Sequence, residues 1–212
     1  MPGKNKITYI CTNCGYESPR MYGKCPGCGE WNTMEEQLAA TVLPGKSTAP
    51  SVRRDLVVPM REIASDDEVR YQTGLHELDR VLGGGLVKGS VVLLGGDPGI
   101  GKSTIQMQIC RSLGDTLKIL YVSGEESRRQ LKLRAERLNA SCDGLYVLTE
   151  TDVEQVCAQI RAEQPNLAII DSIPTMNLQA LTSAPGSVPQ VRECTNMIMR
   201  TAKELDIPTF IV

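Results

Sequence analysis

Short apolar runs alternate with segments of helical periodicity through the larger part of the chain. Five such runs occur, at residues 90–94, 118–122, 145–148, 167–170 and 209–212. Strands separated by helices pair into parallel sheets through crossover connections, so this alternation predicts an α/β fold with a mostly parallel sheet. The last run reaches Val212 with no turn, cap or polar tail after it. We therefore expect the chain to be a fragment of a longer protein.

Capping signals help to bound two of the predicted helices. The helix predicted over residues 102–113 stops at Gly114, a good C-cap residue. The segment TDVE at residues 151–154 has capping-box spacing, with Thr151 as the capping residue, and precedes a helix expected to end near Pro165. These signals place the helices between the predicted strands, as a parallel sheet requires.

A third predicted helix carries five basic residues, namely Arg128, Arg129, Lys132, Arg134 and Arg137. We interpret it as a solvated amphipathic surface with Leu131 and Leu138 directed inward. Contact with DNA phosphates is the alternative. The single histidine, His76, falls in a helix and is expected to pack rather than to catalyse.

Composition shifts divide the chain into three parts. Residues 1–36 form a compact unit bracketed by cysteine pairs, and residues 37–55 lose periodicity and gather Ala, Ser, Thr, Pro and Gly, as a linker does. Residues 56–212 form the second domain. No run approaches 18 apolar residues and the N-terminus lacks the features of a secretory signal, so we expect a cytoplasmic protein without membrane contact.

Charge and aromatic content limit how the chain can meet a nucleic acid. The 23 basic and 25 acidic residues leave a net charge of −2, so the whole molecule projects no strong field toward DNA or membrane. With six Tyr, one Trp and one Phe, a surface that stacks many bases is disfavoured. Any DNA contact is expected at backbone phosphates, through a local patch or through assembly.

A glycine-rich turn that begins at Gly96 follows the first predicted strand and opens a helix. It fits the phosphate-loop pattern GxxxxGK[ST], whose backbone N–H groups and helix N-terminus hold the phosphates of a nucleotide such as ATP. Lys102 is expected at the β- and γ-phosphates, Ser103 on Mg²⁺ and Thr104 at the α-phosphate. The predicted nucleotide-binding residues are Gly96, Asp97, Pro98, Gly99, Ile100, Gly101, Lys102, Ser103 and Thr104.

Acidic residues end two further predicted strands. Asp171 follows the run at 167–170, the position of a Walker B carboxylate that helps to hold Mg²⁺, although an acid there can also be only a helix cap. Glu125 and Glu126 follow the run at 118–122, at the edge of the sheet where ligands bind in open α/β folds. We favour Glu125 as the group that activates water, leave Glu126 open, and note that both can be first-turn acids of the next helix.

Four of the eight cysteines form two CxxC pairs, Cys11 with Cys14 and Cys25 with Cys28. Two such pairs complete a tetrahedral, closed, structural zinc site, which fits better than two disulfides or a redox motif. The remaining four cysteines are expected to be small buried hydrophobes. Four aromatic residues of the unit, Tyr9, Tyr16, Tyr22 and Trp31, are expected to form its small core, or to offer one or two rings to a partner.

The chain combines this four-cysteine module with the segments TGLHELDRVLGGGLVKGSVVLLGGDPGIGKST, YVSGEES and IIDSIPTM. The combination resembles the RadA (Sms) family of bacterial DNA-repair ATPases, relatives of RecA and of replicative helicases, over essentially the whole chain. Thr73-Gly74, Leu78-Asp79 and Gly83 to Leu86 are typical of the RecA-like group and distinguish it from small-molecule kinases with the same phosphate loop.

The resemblance implies a RecA-like P-loop core with a zinc-ribbon-like module before it. It further implies a DNA-dependent ATPase of recombinational repair that is stimulated by single-stranded DNA, processes branched intermediates, cooperates with the RecA recombinase and forms a hexamer when full length. By position it assigns catalysis to Lys102, Glu125 and Asp171, Mg²⁺ to Ser103 and Asp171, and zinc to the four paired cysteines. The family's Lon-protease-like C-terminal domain is expected to be missing.

Three functional hypotheses therefore stand side by side. The leading one is a subunit of an ATP-driven DNA motor. The alternative is a nucleotide-gated assembly module whose zinc unit recruits a recombinase partner, with little hydrolysis. A small-molecule kinase is disfavoured, because no acceptor-binding lid is visible in the sequence and because Glu125 suits water activation better.

Overall fold

The computed structural model describes residues 7–38, 59–62 and 70–212. The described residues fall into two compact units, a smaller amino-terminal one and a larger one that carries the parallel sheet. Apart from Gln37 and Leu38, which end a strand, the linker expected at residues 37–55 lies outside the described residues. The predicted domain boundaries stay predictions.

The amino-terminal unit is a three-stranded antiparallel sheet. Its strands are β1 (Ile7–Cys11), β2 (Glu17–Ser18) and β3 (Met34–Leu38), in the order β2-β1-β3. The buried hydrophobic residues of this unit are Cys11, Cys25 and Met34, with Tyr9 and Cys28 packed against this cluster. Sulfur-bearing side chains thus supply most of the interior.

The expectation that four aromatic residues form this core is wrong for three of them. Trp31 is 67% exposed, and Tyr16 and Tyr22 are about 40% exposed. Only Tyr9 packs against the buried cluster. Four cysteines that converge on one point leave little interior for large rings, so the rings lie at the surface.

The larger unit begins with a two-stranded ribbon around a short helix. Strand β4 (Arg70–Tyr71) pairs with β5 (Leu86–Val87), and α1 (His76–Val81) lies between them in the chain. The backbone N–H and the hydroxyl of Thr73 both donate to Asp79 Oδ1 at 2.8 Å, which ties the Thr-Gly turn to the helix. His76 is exposed, so the expectation that it packs is wrong.

A five-stranded parallel sheet forms the centre of the larger unit. Its strands are β6 (Val91–Leu93), β7 (Ile119–Ser123), β8 (Leu145–Thr149), β9 (Leu167–Asp171) and β10 (Thr209–Ile211). Their order is β6-β10-β9-β7-β8, and every neighbouring pair is parallel. The predicted α/β class and all five predicted strands are confirmed.

Helices cover both faces of this sheet. They are α2 (Lys102–Leu113), α3 (Arg128–Arg137), α4 (Val153–Glu163) and α5 (Val188–Glu204). Alternate residues of β7 enter two different cores: Tyr121 packs with α2 and α3, whereas Leu120 packs with α4 and α5. Short 3₁₀ helices occur at Met60–Glu62 and Ile173–Thr175. The strand ends are therefore fixed from both sides of the sheet.

One predicted cap is displaced by a residue. Helix α4 is capped by Asp152, whose Oδ1 accepts from the Glu154 N–H at 2.9 Å, and not by Thr151 as the capping-box spacing predicted. The side-chain oxygen of an N-cap residue can accept from the backbone N–H two or three residues ahead, so Thr151 and Asp152 were both possible caps of α4. Helix α2 ends at Leu113, with Gly114 after it, as predicted.

The cysteines outside the CxxC pairs behave largely as small hydrophobes. Cys110, Cys157 and Cys194 are buried, as predicted, and Cys142 is only partly buried. Burial raises the pKa of the Cys194 thiol to about 11 and raises that of Cys110 still further.

Across the described parts of the chain, no helix has both the length and the apolar character needed to cross a membrane.

Candidate functional site

A cavity of about 550 Å³ opens at the carboxyl edge of the parallel sheet, beyond the ends of β6 and β9. This edge is where ligands bind in open α/β folds. From the predicted nucleotide-binding set, the lining residues are Gly96, Pro98, Gly99, Gly101, Lys102, Ser103 and Thr104. Glu125 and Asp171 line the same cavity, whereas Asp97 and Ile100 do not. The structure thus brings the phosphate loop and both predicted acids together.

The phosphate loop has the backbone geometry that its glycines allow. Gly99 and Gly101 have φ values of +79° and +104°, in the region that favours glycine, and a Cβ on either would meet no protein atom within 4 Å. Gly101 is the N-cap of α2, and no side chain caps the helix. The N–H groups of Lys102 and Ser103 are therefore available to an anion in the cavity, together with the positive end of the helix dipole, whereas the Thr104 N–H donates to the Gly101 carbonyl at 3.0 Å.

Lys102 folds back over the loop that precedes it. Its Nζ donates to the carbonyl oxygens of Gly96 at 2.7 Å and of Asp97 at 2.8 Å. Both bonds hold the ammonium group beside the loop and on the wall of the cavity. The cation is thus placed to meet the charge of a phosphate chain.

Asp171 ends β9 and is 8% exposed. It pairs in register with Ser123 of β7, which puts its side chain on the same face of the sheet as Tyr121. The Tyr121 hydroxyl donates to Asp171 Oδ2 at 2.5 Å and lies 3.2 Å from Gln106 Oε1. Burial and the negative charge of Asp171 raise the pKa of Tyr121 far above its usual value, so the hydroxyl keeps its proton and acts as a donor. The peptide bond between Asp171 and Ser172 is cis.

Glu125 and Glu126 follow β7 after one residue, Gly124, but have different surroundings. Glu125 is exposed on the cavity wall, and its Oε1 accepts a hydrogen bond of 2.7 Å from the Ser172 hydroxyl. Glu126 instead forms an ion pair with Arg134 of α3. The interpretation of the α3 cations as a solvated surface is therefore wrong for Arg134, which lines the cavity. The other four basic residues of that helix are exposed, and Leu131 is buried as predicted.

The donor set of the cavity fits a Mg²⁺-nucleotide. Mg²⁺ prefers oxygen ligands, and the Ser103 hydroxyl and the Asp171 carboxylate both lie on the wall. Tyr121 donates to Oδ2 of Asp171, so Oδ1 is the oxygen of this carboxylate that would bind a cation. An uncapped helix start, an ammonium group and two acids are the groups that nucleotide triphosphate chemistry needs.

The four paired cysteines form a second site, in the amino-terminal unit. Their Sγ atoms all lie within 4.8 Å of one another. Cys11 Sγ and Cys28 Sγ are 3.7 Å apart, far beyond the about 2.0 Å of a disulfide bond. A tetrahedron with Zn–S distances of about 2.3 Å has edges of about 3.8 Å, so this separation fits a zinc ion. The Gly27 N–H donates to Cys25 Sγ at 3.3 Å, as expected where a CxxC turn presents a thiolate.

Sequence reasoning did not assign three residues to the site, namely Arg134, which lines the cavity, and Tyr121 and Gln106, which lie behind Asp171. Tyr121 lies within an apolar run, and the hydrophobic pattern gives no indication that its hydroxyl has a polar partner. Gln106 lies one helical turn after Lys102, a position that sequence spacing alone does not mark. Arg134 follows the buried Leu131 by three residues and precedes the buried Ala135, which places it at the edge of the packed face of α3.

Two family models match the chain, and similar proteins cover nearly all of it. The rubredoxin metal binding domain matches residues 9–36, and the AAA domain matches residues 59–212. DNA repair protein RadA of Bacillus subtilis is 49% identical over 213 residues, and those of Aquifex aeolicus and Pseudomonas aeruginosa are 44% and 45% identical over 210. In each comparison 99% of this chain is covered, but only 46% of the relative. The chain therefore belongs to the AAA domain family, and the proteins it resembles along nearly its whole length are DNA repair proteins named RadA.

Proposed function

We propose that the chain binds ATP with Mg²⁺ in the cavity beyond β6 and β9 and hydrolyses it. The observation that carries this proposal is the convergence of Lys102, Ser103, Glu125 and Asp171, from three separate strand ends, on one cavity of about 550 Å³. A glycine-rich turn that merely joins a strand to a helix has no need of two acids from other strands. Membership in the AAA domain family supports the same conclusion.

Each group has a distinct part in the proposed reaction. The N–H groups that open α2 and the ammonium of Lys102 bind the β- and γ-phosphates, while Ser103 and Asp171 hold Mg²⁺, which neutralises charge that develops on the phosphates. Glu125 orients a water molecule and accepts its proton as the water oxygen attacks the γ-phosphorus. The bond to the β–γ bridging oxygen breaks, and ADP, phosphate and a proton result.

We propose further that hydrolysis serves DNA repair. The support is similarity to proteins named DNA repair protein RadA, together with the sequence resemblance to RecA-like ATPases. In this proposal the chain, as part of a protein of the length of its relatives, acts on single-stranded and branched DNA as a ring of six subunits and cooperates with the RecA recombinase. The four-cysteine unit, matched by a metal-binding family model, holds zinc and forms a separate contact surface.

The test is ATP hydrolysis with and without single-stranded DNA, at low salt, where contacts to phosphates are strongest. We expect DNA to raise turnover, and Glu125→Gln to remove turnover while ATP binding is kept. Glu150→Gln is the matched control, because Glu150 is an acid on the next strand end whose Oε1 accepts from the backbone N–H groups of Thr151 and Asp152. Turnover that is indifferent to DNA would refute the motor, and normal turnover in Glu125→Gln would refute the assignment of the base.

One observation favours the second candidate, a module whose nucleotide state gates the binding of a recombinase partner. Trp31 of the zinc unit is 67% exposed, and Lys24 Nζ lies 5.6 Å from the centre of its ring. Exposed tryptophan rings are frequent anchors of protein contacts. The Glu125→Gln variant distinguishes the two candidates. A gated binding module keeps its partner contact when hydrolysis is lost, whereas a DNA motor without hydrolysis loses its activity on DNA.

A further inference from the structure

Two adjacent glutamates follow β7, and their surroundings assign them different tasks. Glu125 lines the nucleotide cavity, but among the described residues that line this cavity Glu126 does not appear. Both glutamates line a neighbouring depression, together with Thr149 and Glu150. Of the two acids, Glu125 therefore also faces the nucleotide cavity and Glu126 does not, although they are neighbours in the chain.

Arg134 is what holds Glu126 in its place. Its guanidinium donates to Glu126 Oε1, and the two side chains are 23% and 25% exposed. The surface pair Arg80–Glu77, in contrast, is 72% and 84% exposed. The second oxygen of Glu126 is buried and accepts no hydrogen bond from the described residues. A carboxylate enclosed in this way depends on its one cation, because an unpaired buried charge is strongly unfavourable.

The fold explains why Arg134, and none of its basic neighbours, reaches Glu126. Helix α3 starts at a capping box formed by Ser127 and Gln130, immediately after the two glutamates. Its buried residues Leu131 and Ala135 fix the face that packs on the sheet. Side chains of a helix lean toward its N-terminus, so Arg134, on the edge of that face, extends back toward the start of α3.

The charges at the cavity give this pair a consequence for nucleotide binding. Glu125, Glu126 and Asp171 contribute three negative charges beside a site for a triphosphate, and Lys102 and Arg134 are the cations on the described wall. Neutralising Arg134 leaves Glu126 with an uncompensated charge, which repels the nucleotide through a partly buried region where screening is weak.

We propose that Arg134 is a positioning residue that holds Glu126 outside the nucleotide cavity and compensates its charge, so that Glu125 alone faces the reacting water. This inference rests on the proposed nucleotide site and deepens it. It predicts that harm caused by the loss of Arg134 comes from the charge left on Glu126, and not from a lost contact between Arg134 and the phosphates.

The experiment compares the binding of a fluorescent ATP analogue with Mg²⁺ by wild type, Arg134→Met, Glu126→Gln and the double variant. We expect Arg134→Met to raise Kd about tenfold, and Glu126→Gln to leave Kd within about twofold. The double variant has the charge of the wild type, and we expect its Kd to return to within about threefold. Lys132→Met is the matched control, because Lys132 lies on the same helix and pairs with Glu136 on the exposed surface.

The double variant decides the result. If it binds as weakly as Arg134→Met, Arg134 acts on the nucleotide directly and the proposal is wrong. The proposal is also wrong if Glu126→Gln abolishes hydrolysis as fully as Glu125→Gln does. Thermal unfolding of each variant shows which are folded, and Arg134→Gln, which also removes the charge, replaces Arg134→Met if the latter is not folded. Failure of the wild type to bind the analogue at all would instead refute the proposed function.

Discussion

Replacing Tyr121 with phenylalanine removes one oxygen atom from a buried position between two elements of the candidate site. Its hydroxyl donates to Asp171 Oδ2 at 2.5 Å and lies 3.2 Å from Gln106 Oε1. Tyr121 and Gln106 are fully buried, and Asp171 is 8% exposed. The substitution creates no cavity larger than one oxygen, so the lost hydrogen bond to Asp171 dominates its effect.

The magnitude follows from the kind of bond that is lost. The single hydroxyl proton of Tyr121 is donated to the Asp171 carboxylate, and a hydrogen bond to a charged group contributes about 1.5–3 kcal/mol. We therefore expect Tyr121→Phe to lower the free energy of unfolding by about 1.5–3 kcal/mol. Because Asp171 loses the donor that orients it, we also expect the Mg²⁺ concentration for half-maximal hydrolysis to rise severalfold.

Urea unfolding followed by circular dichroism measures the first effect, and a Mg²⁺ titration measures the second. Tyr146→Phe is the matched control, because Tyr146 lies on the adjacent strand β8 and is 49% exposed. If Tyr121→Phe unfolds within about 0.5 kcal/mol of Tyr146→Phe, the hydroxyl does not support Asp171 and the reasoning is refuted.

Three further changes test other parts of the structure. Cys25→Ser is expected to reduce bound zinc below one ion per chain while nucleotide binding is kept. Cys142→Ser is the control and is expected to keep the zinc. Metal analysis measures the zinc content of both variants, and equal contents would contradict the prediction. Burial of the Cys194 thiol is expected to make its full contribution to stability below the unfolded thiol pKa of 9.0. This contribution should fall as pH rises toward the folded pKa of about 11, since the unfolded thiol ionises first. In urea unfolding, Cys194→Ala should make the alkaline decline in stability less steep, and an unchanged slope would refute this expectation. Gly124→Ala places a Cβ 2.1 Å from Thr175 Oγ1, so the residue before Glu125 must shift. We expect turnover to fall at least about tenfold with ATP binding nearly unchanged. Normal turnover would contradict this expectation and show that the loop adapts.

The parts of the fold that depend on local patterns were predictable from sequence. The five strands and helix α2 follow from apolar runs and from a glycine after the last helical residue. The phosphate loop is equally local, because its ligands are consecutive backbone groups. Convergence of Glu125 and Asp171 on that loop followed from a general property of parallel sheets, whose carboxyl ends meet at one edge.

Features that depend on tertiary packing were not predictable in the same way. Arg134 reaches an acid eight residues earlier, and the helical period places Arg134 at the edge of the buried face without indicating which acid it meets. The exposure of Trp31 follows from an interior occupied by cysteines, which hydrophobicity alone does not reveal. The tie between Tyr121 and Asp171 joins residues 50 positions apart through the register of β7 with β9.

The central claim is that the glycine-rich loop, Lys102 and the acids of two other strand ends form one nucleotide site. Its most direct test is equilibrium binding of a fluorescent ATP analogue with Mg²⁺ to the wild type, to Lys102→Ala and to Lys203→Ala, an exposed lysine of α5 that lies outside the cavity lining. We predict that Lys203→Ala binds as the wild type does and that Lys102→Ala raises Kd by about 100-fold or more. Equal affinity in all three proteins would contradict the claim.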